Sequence, residues 1–197
     1  MILTLAFVNG FQHAVSEKVF SFWGHIHVQH YEPDKSIVAE ETPLEQNDTV
    51  VQILHNTPGI QHVQAYATKS AVLEKNKEIE GILFKGVDTG YSFSNMKNFL
   101  LQGKWPNVSD SLYSRQIAIS KTIADELLIN VDDTISIYFI SPQTNSTNVR
   151  RVRVTAIYKT GIQEFDEQFA IGDIRLLRRI SNWEHNEIGG YEVFLND

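Results

Sequence analysis

The sequence contains no cysteine among its 197 residues. This absence excludes a disulfide framework, a thiol nucleophile and any metal site built on thiolates. The sequence also lacks a Gly-rich phosphate loop, a G-x-S-x-G motif and an H-E-x-x-H motif. Nucleotide binding, serine hydrolysis and zincin chemistry therefore have none of their usual scaffolds. We expect no catalytic residue, no metal and no cofactor.

Positive charge is also scarce, because 17 basic residues face 24 acidic ones and give a net charge of -7. The basic residues are dispersed along the chain, whereas nucleic acids and anionic membrane surfaces require them in clusters. We therefore expect no nucleic-acid partner. Hydrophobic residues make up 42% of the chain, which is enough for a packed core. The length suits one domain over residues 1–197.

The N-terminus has a different composition from the rest of the chain. Seven of the first eight residues are apolar, but no charged region precedes them and no cleavage site follows, so the segment matches a signal peptide poorly. Eight residues also fall short of the roughly 20 needed to span a membrane. Two interpretations stay open at this point: the last turns of a transmembrane helix, or a helix of the core. Apolar residues then recur every three or four positions from Leu3 to Trp23, which predicts one long amphipathic helix.

The rest of the chain alternates irregularly between predicted strands and short helices. Asn47 or Asp48 is a natural N-cap, and so are Ser94 and Ser120. Residues 60–87 predict a long hairpin with a polar tip at 75–78. The further predicted strands cover residues 25–31, 116–119, 134–140, 149–158, 165–171 and 191–195. The predicted helices cover residues 50–54, 96–101, 121–129 and 173–180. Asn130 is expected at the C′ position of the third of these helices. Interleaved hairpins and helices of this kind indicate an α+β fold with mixed sheets.

Several strings, in this order, resemble the extracytoplasmic core domain shared by lipoprotein-releasing (Lol-type) and macrolide-exporter (MacB-type) permeases of ABC transporters. Each string is structural, so the resemblance rests on their order across almost the whole chain. They are residues 6–11 (AFVNGF), 24–28 (GHIHV), 58–63 (PGIQHV), 82–88 (ILFKGVD), 117–127 (IAISKTIADEL), 131–134 (VDDT), 140–142 (ISP) and 154–157 (VTAI), with Gly161 and Asp166.

The resemblance implies a domain in the periplasm, attached to the bacterial inner membrane by transmembrane helices on both sides. The N-terminal helix would then continue from a transmembrane segment. The domain would have two lobes, the first formed by residues 20–78 with 163–197 and the second inserted over residues 79–162. The implied function is non-catalytic: the domain would couple ATP-driven motion of the membrane helices to release of an apolar substrate, most directly a lipoprotein. The implied partners are cytoplasmic ATPase subunits, a second permease subunit, the lipoprotein and a periplasmic carrier.

The chain departs from the family pattern at three places. Ser120 and Asp132 stand where family members usually carry glycine, and the connection from Ile140 to Arg151 is too short for the carrier-binding hook of one lipoprotein-releasing permease. This points to the partner permease type or a fused relative. Exposed loops carry most binding surfaces, so the polar tip at residues 142–148 and the segment 104–114 are the candidate partner contacts. The residues singled out in them are Pro142, Gln143, Thr144, Asn145 and Trp105.

Other residue clusters have weaker functional interpretations. His25, His27 and His30 would make a metal site only if they converged, but in a strand His30 points away from the other two. An acidic cluster could supply paired carboxylates for glycoside hydrolysis, but a solvated turn suits it better. It consists of Glu164, Asp166 and Glu167. An exposed basic stripe is predicted for the last helix, where cations favour the helix dipole. That stripe consists of Arg175, Arg178 and Arg179. The alternative functions are a stand-alone periplasmic binding module and, after it, a secreted hydrolase.

Overall fold

The computed structural model of the protein describes residues 2–31, 42–109, 113–141 and 146–196. Its helices are α1 (Ile2–Trp23), α2 (Asp48–Asn56), α3 (Lys121–Glu126), α4 (Gln163–Gln168) and α5 (Ile174–Ser181), with a 3-10 helix at Phe93–Phe99. Its strands are β1 (Ile26–Gln29), β2 (Leu44–Glu45), β3 (Ile60–Lys75), β4 (Glu78–Val87), β5 (Leu100–Gly103), β6 (Gln116–Ser120), β7 (Thr134–Ser141), β8 (Ser146–Tyr158), β9 (Phe169–Asp173), β10 (Glu187–Ile188) and β11 (Gly190–Leu195). The predicted α+β class is confirmed.

Within the described residues, nine strands form one mixed sheet, and β10 pairs with β2 in a small separate ribbon. The long hairpin of β3 and β4 is confirmed, with Lys75 opposite Glu78 at its tip. Pairing proceeds from β4 to β9, β6, β8 and β7, and β7 returns to β3, so these strands close a ring. The remaining strands extend the sheet, with β1 beside β11 and β5 beside β8.

The core divides between the two faces of the sheet, because successive side chains of a strand point to opposite faces. Phe84 and Ile117 belong to a first core cluster, which α3 and α5 also cover. Their chain neighbours Leu83 and Ala118 belong to a second core cluster. That second cluster also contains Phe22, from the last turn of α1. The long helix therefore reaches the core through its C-terminal end.

The predicted helix over residues 3–23 is confirmed, but its apolar face does not cover the core. Phe7 and Phe11 are 74% and 62% exposed, and Val15 is 38% exposed. Phe22 is fully buried. Only the end of α1 is held by the described part of the domain, while its N-terminal half projects from it.

Two of the predicted caps are confirmed at the expected residues. Asn47 Oδ1 accepts from Thr49 N at 2.9 Å, and Ser120 Oγ accepts from Ile123 N at 3.1 Å. The predicted end of the Ser120-capped helix is wrong, because α3 stops at Glu126. Leu128, with φ of 50°, takes the left-handed position instead of Asn130, and Ile129 N donates to Ala124 O at 2.8 Å. This bond is the long hydrogen bond of a Schellman motif.

Two other predicted elements are also wrong. Ser92, not Ser94, caps the 3-10 helix, and residues 100–103 turn away into β5 because they pair with β8. The predicted strand over residues 165–171 begins as α4 and becomes β9 only at Phe169. Local residue patterns do not contain these pairings with distant strands.

The predicted lobe boundaries fall inside the sheet. Residues 66–74 of the first proposed lobe and 79–87 of the second pair with each other as adjacent antiparallel strands. The division into residues 20–78 with 163–197 and residues 79–162 stays a prediction.

Candidate functional site

Helix α1 passes into the sheet through a tight turn at Gly24. Gly24 has φ of 73°, which side-chain-bearing residues rarely adopt, and its N–H donates to Phe20 O at 2.8 Å. The next amide, His25 N, donates to Val193 O at 2.8 Å. A Cβ added at Gly24 would lie 3.1 Å from that same Val193 oxygen. The turn thus holds the end of α1 directly against β11.

A buried ion pair lies under the end of α1. The side chains of Lys85 and Glu192 are both fully buried, and Lys85 Nζ lies 2.5 Å from Glu192 Oε1. Lys85 Nζ also donates to Phe22 O at 2.6 Å, and it lies 4.4 Å from the Trp23 ring centroid. A cation at a helix C-terminus stabilises the free carbonyl groups there. Lys85 therefore joins three elements, α1, β4 and β11, through one ammonium group.

The ion pair continues into a polar network. Gln64 Nε2 donates to Glu192 Oε2 at 2.9 Å, and Gln64 Oε1 accepts from Ser92 N at 3.1 Å. This chain of contacts connects the end of α1 to the N-cap of the 3-10 helix. Such a network is stabilising only when its members keep their partners.

Aromatic rings enclose the same end of the helix. The Phe22 ring stacks on Phe165 with centroids 4.7 Å apart and meets Phe169 at 5.3 Å. The Trp23 ring lies 5.2 Å from Phe169 and 5.8 Å from Tyr66. Aromatic pairs at these distances add to the energy of burial. We call Phe22, Trp23, Gly24, Lys85 and Glu192 the helix junction.

His27 adds a contact beside the helix junction. Its Nε2 donates to Trp23 O at 2.6 Å, so another free carbonyl of the helix end has a partner. Burial lowers the pKa of His27 below its usual value, although the Trp23 carbonyl opposes this effect. Burial therefore favours the neutral ring.

β1, the first strand after α1, and β11, the last described strand, lie side by side next to this turn. β11 pairs with β1, the strand that follows α1, and Leu195 N donates to His25 Nδ1 at 3.3 Å. The chain therefore enters and leaves the domain at the same side. The end of α1 and β11 are therefore in direct contact.

An apolar pocket of about 360 Å³ lies between α1 and α4, next to the helix junction. Its lining includes Val19, Phe20, Trp23, His27, Phe165 and Phe169. We call it the junction pocket.

The predicted partner contacts have different positions. Pro142, Gln143, Thr144 and Asn145 lie outside the described residues. Trp105 is half-buried and stacks on Phe93 with centroids 4.8 Å apart. Its Nε1 is buried and has no hydrogen-bond acceptor within the described part of the chain.

The histidines do not converge. His25 and His27 contact different partners, Leu195 and Trp23, and His30 is exposed. No group of three or more His, Asp or Glu side chains that could hold a metal ion occurs among residues 2–31, 42–109, 113–141 and 146–196.

The interpretation of Asp166 as part of a solvated turn is wrong. Its side chain is buried, and it accepts from Thr160 N at 2.8 Å and from Gly161 N at 2.9 Å. Glu164 and Glu167 are exposed. Asp166 fixes the turn before α4, and α4 carries the Phe165 ring that packs on Phe22.

The predicted basic stripe on α5 is not a free surface. Arg175 pairs with Asp173 at 2.7 Å, and Arg178 Nε donates to Glu187 O at 2.7 Å. Arg179 lies 4.8 Å from the Tyr113 ring centroid. The prediction of an exposed stripe is therefore wrong for Arg175 and Arg178, which are half-buried and held by neighbouring groups, whereas Arg179 is exposed as predicted.

Sequence reasoning missed the helix junction, although the sequence contains a signal for it. Lys85 interrupts the apolar run ILFKGV, and Glu192 interrupts GYEVF. A charged residue inside an apolar strand is rarely buried without a partner. The two interruptions could have been paired on that basis.

No helix of the described residues is both long enough and apolar enough to cross a membrane. The remaining identification comes from comparison with known proteins. The MacB-like periplasmic core domain family matches residues 1–194. The lipoprotein-releasing system transmembrane protein LolC of Buchnera aphidicola subsp. Schizaphis graminum (strain Sg) is 22% identical over 203 residues, covering 100% of this chain and 47% of the relative. The chain thus spans about half the length of that curated relative.

Two solved structures share the fold. The extracellular domain of the noncanonic ABC-type transporter YknZ from Gram-positive bacteria has a TM-score of 0.58 at 19% identity, covering 87% of this chain and 83% of that one. The periplasmic region of MacB from Actinobacillus actinomycetemcomitans has a TM-score of 0.53 at 15% identity, covering 78% of this chain and 67% of that one. The chain belongs to the MacB-like periplasmic core domain family, as a periplasmic domain of the MacB- and LolC-like ABC-transporter permeases.

Proposed function

We propose that this domain couples ATP-driven motion of the permease's membrane helices to the release of lipoproteins from the bacterial inner membrane. The observation that supports this most is the helix junction. The buried Lys85, paired with Glu192, donates to the Phe22 carbonyl and so holds the end of α1 to β4 and β11. The Phe22 ring also stacks on Phe165 of α4. A helix held in this way moves its domain as a rigid body.

The direction of transmission follows from the position of the chain ends. Because the chain enters and leaves at the same side, motions of the flanking membrane helices reach the domain through α1 and β11 together. The domain then changes how it faces a second permease subunit. ATP hydrolysis belongs to separate cytoplasmic ATPase subunits, and this domain carries no chemistry of its own.

The choice of lipoprotein as substrate is supported by the likeness to the lipoprotein-releasing LolC protein over the whole chain. A periplasmic carrier would receive the lipoprotein. We keep the tip at residues 142–145 and the exposed part of Trp105 as the proposed partner contacts. The second permease subunit is the preferred partner there, because the connection that contains the tip is too short for the carrier-binding hook.

Uncoupling α1 from the sheet tests this proposal. Two glycines inserted between Trp23 and Gly24 of the full-length permease would leave ATP hydrolysis intact but abolish lipoprotein release, because the helix could then turn without moving the domain. The matched control is the same insertion between Asn76 and Lys77, at the hairpin tip. Retention of lipoproteins in the inner membrane is the measurement. Normal release by the first variant would contradict the proposal.

Bacteria that carry the Trp23–Gly24 insertion also test the identity of the substrate. We expect them to retain lipoproteins in the inner membrane while their resistance to macrolides is unchanged. Loss of macrolide resistance with normal lipoprotein release would contradict the lipoprotein assignment and retain the coupling role.

A further inference from the structure

The junction pocket is lined mainly by side chains that remain half-buried although they are large and apolar. Val19, Phe20 and Trp23 line it from α1, and Phe165 lines it from α4. Leaving such surface open to water costs free energy in proportion to its area. A pocket of about 360 Å³ also lies within the usual size range for small-ligand sites, on the order of 300–1,000 Å³.

The pocket favours an uncharged ligand. An aromatic cage attracts cations through its ring faces, but Lys85 already lies 4.4 Å from the Trp23 ring centroid. Lys85 is in turn paired with Glu192. His27, whose pKa is lowered by burial, is bonded to the Trp23 carbonyl. One cation therefore already lies against the Trp23 ring, and apart from the exposed Glu164 the lining between α1 and α4 offers mainly apolar surface to a neutral group.

The shape of the apolar surface indicates a long ligand. Phe7, Phe11, Val15, Val19 and Trp23 follow one another at intervals of four along α1. Residues four apart are neighbours on a helix surface, so these side chains form a continuous ridge. The first three are exposed, and the last two line the junction pocket. The ridge therefore leads from the projecting half of the helix into the pocket.

The volume sets the length of chain that fits. One methylene group takes nearly the space of a water molecule, about 30 Å³, so the pocket accommodates roughly a dozen methylenes. A shorter apolar group would leave the pocket partly empty. The rest of a longer chain would lie on the exposed ridge, where its methylenes stay largely in contact with water and add little affinity.

We propose that the junction pocket binds an acyl chain of an acylated protein substrate, which reaches it along the apolar ridge of α1. This inference rests on the proposed function, because it identifies where the lipid part of the released lipoprotein contacts this domain. Occupation of the pocket would place the ligand between α1 and α4, next to the helix junction.

Tryptophan fluorescence tests the proposal directly. The chain has three tryptophans, and Trp105→Phe with Trp183→Phe leaves Trp23 as the emitter. A short polar peptide carrying a dibromostearoyl chain should quench most of this emission, because bromine quenches at contact distance. The control is Trp23→Phe with Trp183→Phe, in which the emission of Trp105 should persist. Equal quenching of both proteins, or none of Trp23, would overturn the proposal.

The source of the chain is decided by a second arm. Phosphatidylcholine vesicles carrying the same dibromostearoyl chain should quench Trp23 much less than the acylated peptide. Quenching by vesicles that matches the peptide would assign the pocket to membrane lipid and overturn the substrate assignment.

Two further measurements keep the test independent of any one variant. With the unaltered chain, affinity for acylated peptides should rise about fourfold per added methylene and level off near a dozen. Val19→Asp should weaken binding about tenfold or more because it places a carboxylate in the pocket. Val149→Asp, at an exposed position of β8, is the matched control and should bind normally.

The failure of this inference and that of the proposed function are distinguishable. If the protein did not bind acyl chains but the Trp23–Gly24 insertion still abolished lipoprotein release, the junction pocket would be rejected as an acyl site. The coupling role would be retained. Acyl binding that is independent of chain length would also reject the pocket.

Discussion

Two lysine–carboxylate pairs at opposite ends of the same hairpin differ in what surrounds them. At the helix junction, Lys85 and Glu192 are completely buried. At the far end, which we call the distal tip, Lys75 pairs with Asp133 and both side chains remain partly exposed. Lys75 Nζ also donates to the Leu128 carbonyl at 2.8 Å. The chemical groups are the same, but only the first pair has lost its water.

This difference determines what each pair contributes. Water screens an exposed pair and replaces a lost partner, so the pair stabilises the fold little. A buried pair has no such replacement, and removing one member leaves a charge stranded in the core. The comparison explains why α1 is held firmly at one end of the hairpin. At the other end, water can replace either partner of the exposed pair.

The largest expected effect is at the helix junction. Lys85→Met should destabilise the chain by about 3–5 kcal/mol because Glu192 loses its cation while it stays buried. The measurement is the urea midpoint at an unchanged m value. Adding Glu192→Gln should recover most of the loss, since the amide neutralises the stranded charge and still accepts from Gln64. A single-variant loss below about 1 kcal/mol would show that the pair behaves like an exposed one.

The second effect concerns the turn of the helix junction. Gly24→Ala should cost about 1–3 kcal/mol, because the left-handed backbone and the Val193 oxygen both oppose a Cβ. Gly10→Ala is the matched control on the same helix, where nothing lies within 4 Å of an added Cβ. It should stabilise α1 by up to about 1 kcal/mol. Thermal melts of the two variants should therefore move in opposite directions, and parallel shifts would contradict the account.

A smaller effect of the opposite sign is expected at the distal tip. Leu128 is 76% exposed and has a left-handed backbone with φ of 50°. Leu128→Gly should therefore stabilise the chain by roughly 0.5–1 kcal/mol, because the strain is removed and little packing is lost. The neighbouring Leu127 is buried, and Leu127→Ala should cost about 2–5 kcal/mol. Urea titrations of both variants would test the contrast, and a destabilised Leu128→Gly would refute it.

The smallest effect is that of the exposed ion pair. Lys75→Ala should change stability by about 1 kcal/mol or less, and 1 M salt should reduce the difference further. The same salt should leave the Lys85→Met difference nearly unchanged, because buried charges are screened much less. If salt affected both variants equally, the two pairs would not differ in their access to water.

The two ends of the hairpin also differ in how well the sequence predicted them. The hairpin and its polar tip follow from local alternation and turn residues, and both are confirmed. The helix junction depends on contacts between residues far apart in the chain, such as Lys85 with Glu192 and Phe22 with Phe165. Local periodicity reports which side chains share a face, but it does not report which distant element covers that face.

The apolar ridge of α1 shows the same limit. Its spacing correctly predicted a helix, yet Phe7 and Phe11 turned out to be exposed, because no described element packs on that half of the helix. Asp166 shows the converse. An acidic cluster suggested solvent, whereas its carboxylate is buried and bonded to backbone amides of the preceding turn. In both cases the deciding interactions come from packing that the local pattern does not encode.

A distance measurement tests most directly whether α1 and the sheet move as one body. This chain has no cysteine, so Asn9→Cys and Glu78→Cys are the labelled positions within it. With any cysteine elsewhere in the full-length permease replaced by serine, spin labels at these two positions would report the distance between α1 and the distal tip. We predict the same narrow distance distribution with and without ATP, and a broadened one after Lys85→Met. A shift or broadening on ATP binding in the otherwise unaltered protein would place a hinge at Gly24 and contradict rigid coupling.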